Sequence, residues 1–252
     1  MIEQLGKTLD WQTASTNEFP ILGDREVHLW WLPLRLTQTQ SDQALGWLSD
    51  IQRDKYARRA TPALQQSYLA GRYYLLTLLG AYIGAQPKDV LLSYSRLNKP
   101  YLSHHDQNIE FNFTDTSAQG ESFGVFAFSR SRVVGVDIEA LDRRSDFSAI
   151  AERRFSQAEL IKVGTPLDPE KFLAIWTRKE AYGKATGLGI NFRMNQRNLV
   201  DGDSHNFSIV DDKQDQWQLS QIALGDKFIS ALVYSGAQSL SMKAFNCLNQ
   251  TP

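Results

Sequence analysis

The sequence predicts an α+β fold built from two similar halves in one chain. Strand-like and helix-like patterns both recur along its 252 residues, and a short echo relates the two parts. Residues 68–72 (YLAGR) begin an apolar helical pattern after an arginine pair, and residues 172–176 (FLAIW) begin another after a second arginine pair. We therefore expect pseudo-twofold halves over 1–128 and 129–252. Each would be a small antiparallel sheet packed against a long helix, with the active site in the cleft between them.

The first half contains helical and extended patterns in alternation. Residues 109–115 alternate apolar and polar side chains, as a half-buried strand does. Asn98 and Pro100 mark a turn. In chain order, the predicted elements are a strand at 26–34, helices at 42–59 and 62–83, a strand at 89–94, a turn at 96–101, and strands at 109–115 and 122–128.

The second half contains the longest well-delimited helix. Asp168 suits its N-cap, Pro169 its first position, and Gly187 its end. The other predicted elements are a strand at 132–141, a helical segment at 145–162 that breaks at Ser156, and strands at 205–210, 217–224 and 227–234. The segment from Gly236 onward is weakly patterned and is left without a prediction.

Composition places the chain among ordinary soluble globular proteins. The formal charge of -1 and the pI near 6.4 argue against a broad nucleic-acid surface. The single cysteine, Cys247, rules out a disulfide framework within the chain. The N-terminus lacks a signal-peptide pattern, and the apolar run at 73–85 is too short to cross a bilayer. We expect a cytoplasmic monomer that binds neither nucleic acid nor membrane.

Three acidic residues form the candidate metal site. Asp137 and Glu139 are two apart on a predicted strand, so both point to one face. Glu180 on the long helix completes a ligand set if helix and strand meet. Magnesium takes such oxygen ligands and keeps waters that a phosphate can replace. The alternatives are a solvated sheet edge for the first two acids, and an exposed ion pair between Glu180 and Lys184.

Lysines beside these acids suggest a phosphate-containing substrate. Lys179 and Lys184 fit a site whose metal-bound ligand is itself a polyanion, since lysines hold phosphates as point charges. The combination suggests metal-assisted transfer from a pyrophosphate, in which a glutamate takes a proton from an attacking hydroxyl. A metal-dependent nuclease also fits the acids, although it leaves Trp176 and both lysines unused.

Two motifs resemble the signature pair of phosphopantetheinyl transferases. They are residues 135–139 (GVDIE) and, about forty residues later, residues 176–184 (WTRKEAYGK). The length resembles the larger, surfactin-synthetase-activating type. The resemblance extends over about 26–234, and it includes the weaker segments 68–72 (YLAGR), 98–101 (NKPY) and 111–116 (FNFTDT).

The resemblance implies transfer of the phosphopantetheine arm of coenzyme A to a serine of an apo acyl or peptidyl carrier protein, with release of adenosine bisphosphate. It implies coenzyme A and Mg²⁺, or Mn²⁺, in the cleft. Asp137, Glu139 and Glu180 match the metal ligands. Glu180 also matches the base for the carrier serine. Lys184 matches a residue that contacts the phosphates and protonates the leaving group.

The resemblance also implies a set of coenzyme-binding residues: Lys55, Lys99, Pro100, Thr114, Asp115, Lys179 and Lys184. Three positions depart from the family pattern. Asp115 stands where the family often has a histidine that contacts a coenzyme phosphate, and Gln52 and Ser67 stand where basic residues are frequent. We expect a coenzyme pocket that is arranged differently. A non-catalytic, carrier-binding relative is the alternative.

Overall fold

The computed structural model describes residues 5–15, 18–103, 108–189, 194–201 and 204–249, and it shows an α+β fold. Within these residues the helices are α1 (Gln38–Trp47), α2 (Asp50–Ala57), α3 (Pro62–Ile83), α4 (Phe147–Arg154), α5 (Gln157–Val163) and α6 (Pro169–Thr186). The strands are β1 (Trp11–Ser15), β2 (Glu26–Pro33), β3 (Leu92–Tyr94), β4 (Pro100–Leu102), β5 (Ile109–Ala118), β6 (Glu121–Arg130), β7 (Val134–Ala140), β8 (Asn206–Val210), β9 (Gln216–Leu224), β10 (Phe228–Ser235) and β11 (Ser241–Asn249).

The strands form two main sheets and one hairpin. The five-stranded sheet has the order β1-β11-β2-β6-β5, and the four-stranded sheet has the order β7-β10-β9-β8. The second sheet is antiparallel, as predicted. The first sheet is mixed, because β11 runs parallel to both β1 and β2. The prediction of an antiparallel first sheet was therefore wrong.

Each end of the chain contacts the sheet that is formed mainly by the opposite half of the chain. The last strand, β11, lies beside β2 in the first sheet, while Lys7 forms an isolated bridge with Ile222 beside the second sheet. The predicted boundary between residues 128 and 129 falls inside β6, and β11 from the second half of the chain belongs to the first sheet. The sequence pattern after Gly236 did not predict β11, because this strand is defined by its pairing with β2, more than 200 positions away in the chain.

The helix predicted over 42–59 is two helices. Ser49 caps α2, where its side chain accepts from the Gln52 amide and the Gln52 side chain accepts from the Ser49 amide. This capping box starts a new helix, α2, within a segment that was predicted to form one helix with the residues of α1. The single helix at 62–83 and the break at Ser156 are confirmed.

Each sheet packs against a long helix. α3 contacts β5 and β6, and α6 contacts β7 and β10. The core under α3 is rich in aromatic side chains, including Trp30, Phe126 and Phe128. In the part of the chain that the structure describes, no helix combines the length and apolar character needed to cross a membrane.

A buried polar chain ties β2 to α3. The Trp30 indole donates to the Tyr82 hydroxyl over 2.9 Å, and that hydroxyl lies 2.8 Å from His28 Nδ1. Since the indole can only donate, the Tyr82 proton is free for Nδ1, which leaves Nε2 to carry the imidazole proton toward Glu26. With these donor and acceptor roles His28 is neutral, in keeping with its burial, which lowers the pKa of this imidazole to about 4.

This depressed pKa predicts a loss of stability in mild acid. In the unfolded chain His28 is protonated below about pH 6.5, whereas in the folded chain it is protonated only below about pH 4. The unfolding free energy should therefore fall by about 3 kcal/mol over that interval from this residue alone. In urea titrations at several pH values, His28→Gln should remove this part of the acid-side slope. Equal slopes for both proteins would contradict the assignment.

Candidate active site

Strand β7 and helix α6 meet without an intervening side chain. A Cβ atom on Gly135 would lie 2.2 Å from the Ala181 carbonyl oxygen and 2.4 Å from the Ala185 amide nitrogen. The helix backbone therefore rests directly on the strand. This contact brings Glu180 and Lys184, one helical turn apart, to the strand that carries Asp137.

Asp137 and Lys184 form the centre of the candidate site. Lys184 Nζ lies 2.6 Å from Asp137 Oδ1 and 2.9 Å from Thr114 Oγ1. The Thr114 hydroxyl donates to the same carboxylate oxygen over 3.3 Å. Asp137 is 5% exposed, and its second oxygen, Oδ2, is buried without a hydrogen-bond partner. Lys184 thus pairs with Asp137, which replaces the alternative of an exposed helical pair with Glu180.

Glu139 lies on the same face of β7. Its Oε1 accepts from the Trp176 indole over 3.0 Å and also from the Arg143 guanidinium. Burial, and then the nearby Asp137 carboxylate, raise the pKa of Glu139 to about 7. The structure therefore brings together Asp137 and Glu139 as the sequence predicted, and removes the alternative of a solvated sheet edge.

Glu180 completes the acidic group. Burial and the charge of Asp137 raise its pKa above the ordinary glutamate value. Among the described residues it has no hydrogen-bond or ion-pair partner. Glu180 lines a cleft of about 500 Å³, together with Trp176, Arg153 and Arg154. An accessible carboxylate with a raised pKa suits a proton acceptor.

The first sheet contributes to the site through β5. The Asn112 side chain accepts from the Val136 amide over 2.9 Å, which satisfies a backbone donor on the free edge of β7. Thr114, two residues along β5, then faces Asp137. Sequence reasoning missed Asn112. Its signal was weak, because an amide on the polar face of an alternating strand is ordinary unless that face is known to be buried.

The carboxylates fit a hard divalent cation in their chemistry. In the described parts of the chain, no three histidine, cysteine or acidic side chains are arranged to hold a metal ion. Lys184 and Arg143 hold two of the three acids. The buried Oδ2 of Asp137 nevertheless has no hydrogen-bond partner, and it is an oxygen ligand of the type that Mg²⁺ prefers.

Comparisons with known proteins identify the family. A model of the 4'-phosphopantetheinyl transferase superfamily matches residues 133–233, which include β7 and α6. The 4'-phosphopantetheinyl transferase HetI of a Nostoc species is 33% identical over 168 residues, which cover 66% of this chain and 70% of HetI. The chain belongs to the 4'-phosphopantetheinyl transferase superfamily. A putative 4'-phosphopantetheinyl transferase of a Synechocystis species is 28% identical, with 77% of this chain and 79% of that protein covered. A phosphopantetheinyl transferase of a Thraustochytrium species is 26% identical, with coverages of 61% and 59%.

Of the predicted coenzyme-binding residues of this transferase, Lys99 and Pro100 line a second cleft of about 390 Å³ beside the end of α6. Lys99 Nζ donates to the carbonyls of Val134 and Ala185, each over 3.2 Å, and burial lowers its pKa. Lys55 is exposed on α2, 4.9 Å from the centre of the Tyr94 ring. The structure does not bring Lys55 into contact with the carboxylates.

Asp115 faces away from the acidic group. It follows Thr114 on β5, so the two side chains point to opposite sides of the strand. Its carboxylate accepts from the Ser67 hydroxyl over 3.3 Å. Two of the positions that depart from the family pattern therefore contact each other.

Lys179 is a correction to the predicted coenzyme site. Its side chain is 0% exposed, and its ammonium bonds Glu159 at 2.7 Å and the carbonyls of Met194 and Arg197 at 2.6 and 2.9 Å. An enclosed ammonium with these partners cannot contact a coenzyme, so that prediction was wrong. Lys179 instead ties α6 to α5 and to the segment that begins at residue 194.

The contact at Gly135 predicts a specific sensitivity. Gly135→Ala should force α6 away from β7 and lower the unfolding free energy by about 1–3 kcal/mol or more, because the clash is with backbone. Gly46→Ala is the matched control. Its added Cβ meets nothing within 4 Å, and alanine in an exposed helix should stabilise by about 0.5–1 kcal/mol. Urea midpoints for the two variants should move in opposite directions.

The buried pair predicts that Lys179 acts on stability. Lys179→Met strands the Glu159 carboxylate in the interior and should lower the unfolding free energy by about 3–5 kcal/mol without any ligand. Lys171→Met, on the exposed first turn of the same helix, should change it by less than about 0.5 kcal/mol. Denaturant unfolding measures both. Unchanged stability together with weaker coenzyme binding would restore the original prediction.

Proposed function

We propose that this transferase moves the phosphopantetheine arm of coenzyme A to a serine hydroxyl of an apo acyl or peptidyl carrier protein. The products are the holo carrier and adenosine bisphosphate. The observation that carries the proposal is the group of three carboxylates, one buried and two partly buried, around the Lys184 ammonium, held together by β7 and α6 inside the region that matches the superfamily.

Asp137, Glu139 and Glu180 would hold Mg²⁺, with Mn²⁺ as an alternative. When bound, the cation supplies charge neutralisation for the diphosphate and for the leaving phosphate. The unpartnered Asp137 Oδ2 supports this assignment, since burial of a carboxylate oxygen without a donor is costly. The charge of Asp137 also contributes to the raised pKa values of the other two acids, and a cation would offset that repulsion.

Proton transfer falls to two residues of α6. The serine oxygen bonds to the phosphorus that carries the pantetheine arm, and the bond from that phosphorus to the bridging oxygen breaks. Glu180, which has no competing partner among the described residues, accepts the serine proton. Lys184 holds the phosphates as a point charge and supplies a proton to the departing adenosine bisphosphate.

The two clefts suggest how the substrates approach. The serine must come within hydrogen-bond reach of Glu180, so the carrier would enter along the cleft lined by Trp176, Arg153 and Arg154. Arg153 and Arg154 suit an acidic surface on the carrier, and Asp146 on the same cleft offsets part of their charge. Coenzyme A would approach from the side of Lys99 and Pro100. Thr114, Lys55 and Asp115 remain proposed coenzyme-binding residues, with Thr114 and Asp115 on opposite sides of β5.

The subtype, oligomeric state and location complete the proposal. The length and the extent of the motifs support the larger, surfactin-synthetase-activating type. The proposed state is a monomer, and the single cysteine supports a reducing, cytoplasmic setting.

The test is the intact mass of a purified apo carrier protein after incubation with this protein, coenzyme A and Mg²⁺, with a chelator control. A gain equal to the phosphopantetheine arm, lost with chelator, is expected. Glu180→Gln should slow the gain by about 10²–10⁴-fold, because it removes the base. Glu170→Gln, an exposed glutamate on the first turn of the same helix, should leave the rate unchanged.

Two results would overturn parts of the proposal. Full turnover in Glu180→Gln would remove Glu180 as the base. Tight binding of several carriers by the folded protein, with no mass gain, would favour the non-catalytic, carrier-binding relative. The Ser67–Asp115 contact is the observation that keeps this alternative, since neither side chain supplies positive charge for a coenzyme phosphate.

A further inference from the structure

Arg143 contacts the acidic group in a way that neither the sequence motifs nor the proposed reaction explain. It follows β7 in a turn, where its backbone amide donates to the Ala140 carbonyl over 3.1 Å. Its guanidinium bonds Glu139 Oε1 and lies 5.9 Å from the centre of the Trp176 ring. The turn fixes the start of the side chain, while the side chain itself remains 30% exposed.

Lys184 and Arg143, the two cations that bond the acids, differ in how many contacts fix their own positions. Lys184 bonds both Asp137 and Thr114, and it projects from the packed helix α6. Arg143 has one bonded partner among the described residues, Glu139, and a face of the Trp176 ring. Replacing the single ion pair of Arg143 is therefore easier than displacing Lys184.

The bond to Arg143 engages the carboxylate of one of the proposed metal ligands. Glu139 Oε1 accepts from both Trp176 and Arg143. Cation ligation and a guanidinium bond compete for the same lone pairs and the same negative charge. Trp176 can hold the Glu139 side chain in place by itself, so Glu139 does not need Arg143 for its orientation.

The surroundings of Arg143 leave open space beside its side chain. Trp176, over which the guanidinium lies, is also a wall of the cleft of about 500 Å³. The Arg143 side chain is 30% exposed, so its guanidinium can move into solvent when it leaves Glu139. Three buried or partly buried acids beside Lys184 alone would leave an excess of negative charge, which Arg143 offsets while no other cation is present.

We propose that Arg143 is an internal counter-ion of the site, which occupies Glu139 in place of a divalent cation and is displaced when that cation binds. The inference rests on the proposed function, since it takes Asp137, Glu139 and Glu180 as the metal ligands. Arg143 lowers metal affinity by competing for Glu139, and its charge offsets part of the negative charge of the acidic group before the metal arrives.

The experiment is a titration of the full-length protein with Mn²⁺ in the absence of coenzyme A, with free Mn²⁺ measured by electron paramagnetic resonance. Arg143→Gln should bind Mn²⁺ about fivefold or more tightly than the natural protein, the lower end of typical coupling between two sites. Arg143→Lys, which restores the positive charge, should return the affinity toward the natural value. Arg144→Gln, the exposed neighbour, should match the natural protein.

A further variant separates the two levels of the argument. Glu180→Gln should weaken Mn²⁺ binding if the three carboxylates are the metal site. If it binds Mn²⁺ as well as the natural protein does, both the metal assignment in the proposed function and the role of Arg143 are wrong. If it binds weakly, while Arg143→Gln binds equally or more weakly than the natural protein, only the counter-ion role is overturned. Unfolding midpoints of all variants verify that each is folded.

Discussion

Helix α6 can lie on strand β7 only because Gly135 has no side chain at the point of contact. The Ala181 carbonyl and the Ala185 amide occupy the space that a Cβ would need, at 2.2 and 2.4 Å. Residues 180 and 184 flank this contact, so their distance to the acids of β7 is set by the strand and helix backbones. The 2.6 Å contact between Lys184 and Asp137 follows from this arrangement. A site built on two regular elements is more rigid than one carried by loops.

The burial that this contact produces determines the electrostatics. Asp137, Glu139 and Glu180 all have raised pKa values, and in each case burial is the largest cause. Lys184 and Arg143 offset part of this cost, yet within the described ranges Glu180 has no cation in ion-pair contact and Asp137 retains an unpartnered oxygen. The negative charge of the three acids is therefore not fully balanced by Lys184 and Arg143. Unbalanced charge of this kind is common where a protein binds a cation or activates a proton acceptor.

The first sheet determines the edge of the site. β5 satisfies the backbone of β7 through Asn112 and presents Thr114 to Asp137, so residues far apart in sequence define a single carboxylate environment. The scaffold beneath α6 depends on a second buried ion pair, Lys179–Glu159. Two lysines of one sequence motif therefore serve opposite purposes. Lys184 contacts the candidate site, while Lys179 fastens the helix to α5 and the segment that follows.

The sequence alone determined the features that depend on local periodicity and local capping. Asp168, Pro169 and Gly187 gave the ends of α6, and the period of two along β7 placed Asp137 and Glu139 on one face. The motifs also identified the transferase superfamily. The strand β11 escaped prediction, because a strand with a weak pattern is defined by its partner, and β2 lies at the other end of the chain.

Only the tertiary structure decided which charges meet. Residues 179 and 184 differ by five positions, which turns them about 140° apart around a helix, but the sequence does not say which direction faces a cleft. The docking of α6 onto β7 and α5 made that choice, burying Lys179 and directing Lys184 to Asp137. The pairing of Ser67 on α3 with Asp115 on β5 also depends on the packing of two elements. The physical reason is that periodicity is a property of one element, whereas an ion pair requires two elements to be packed at a fixed distance and angle.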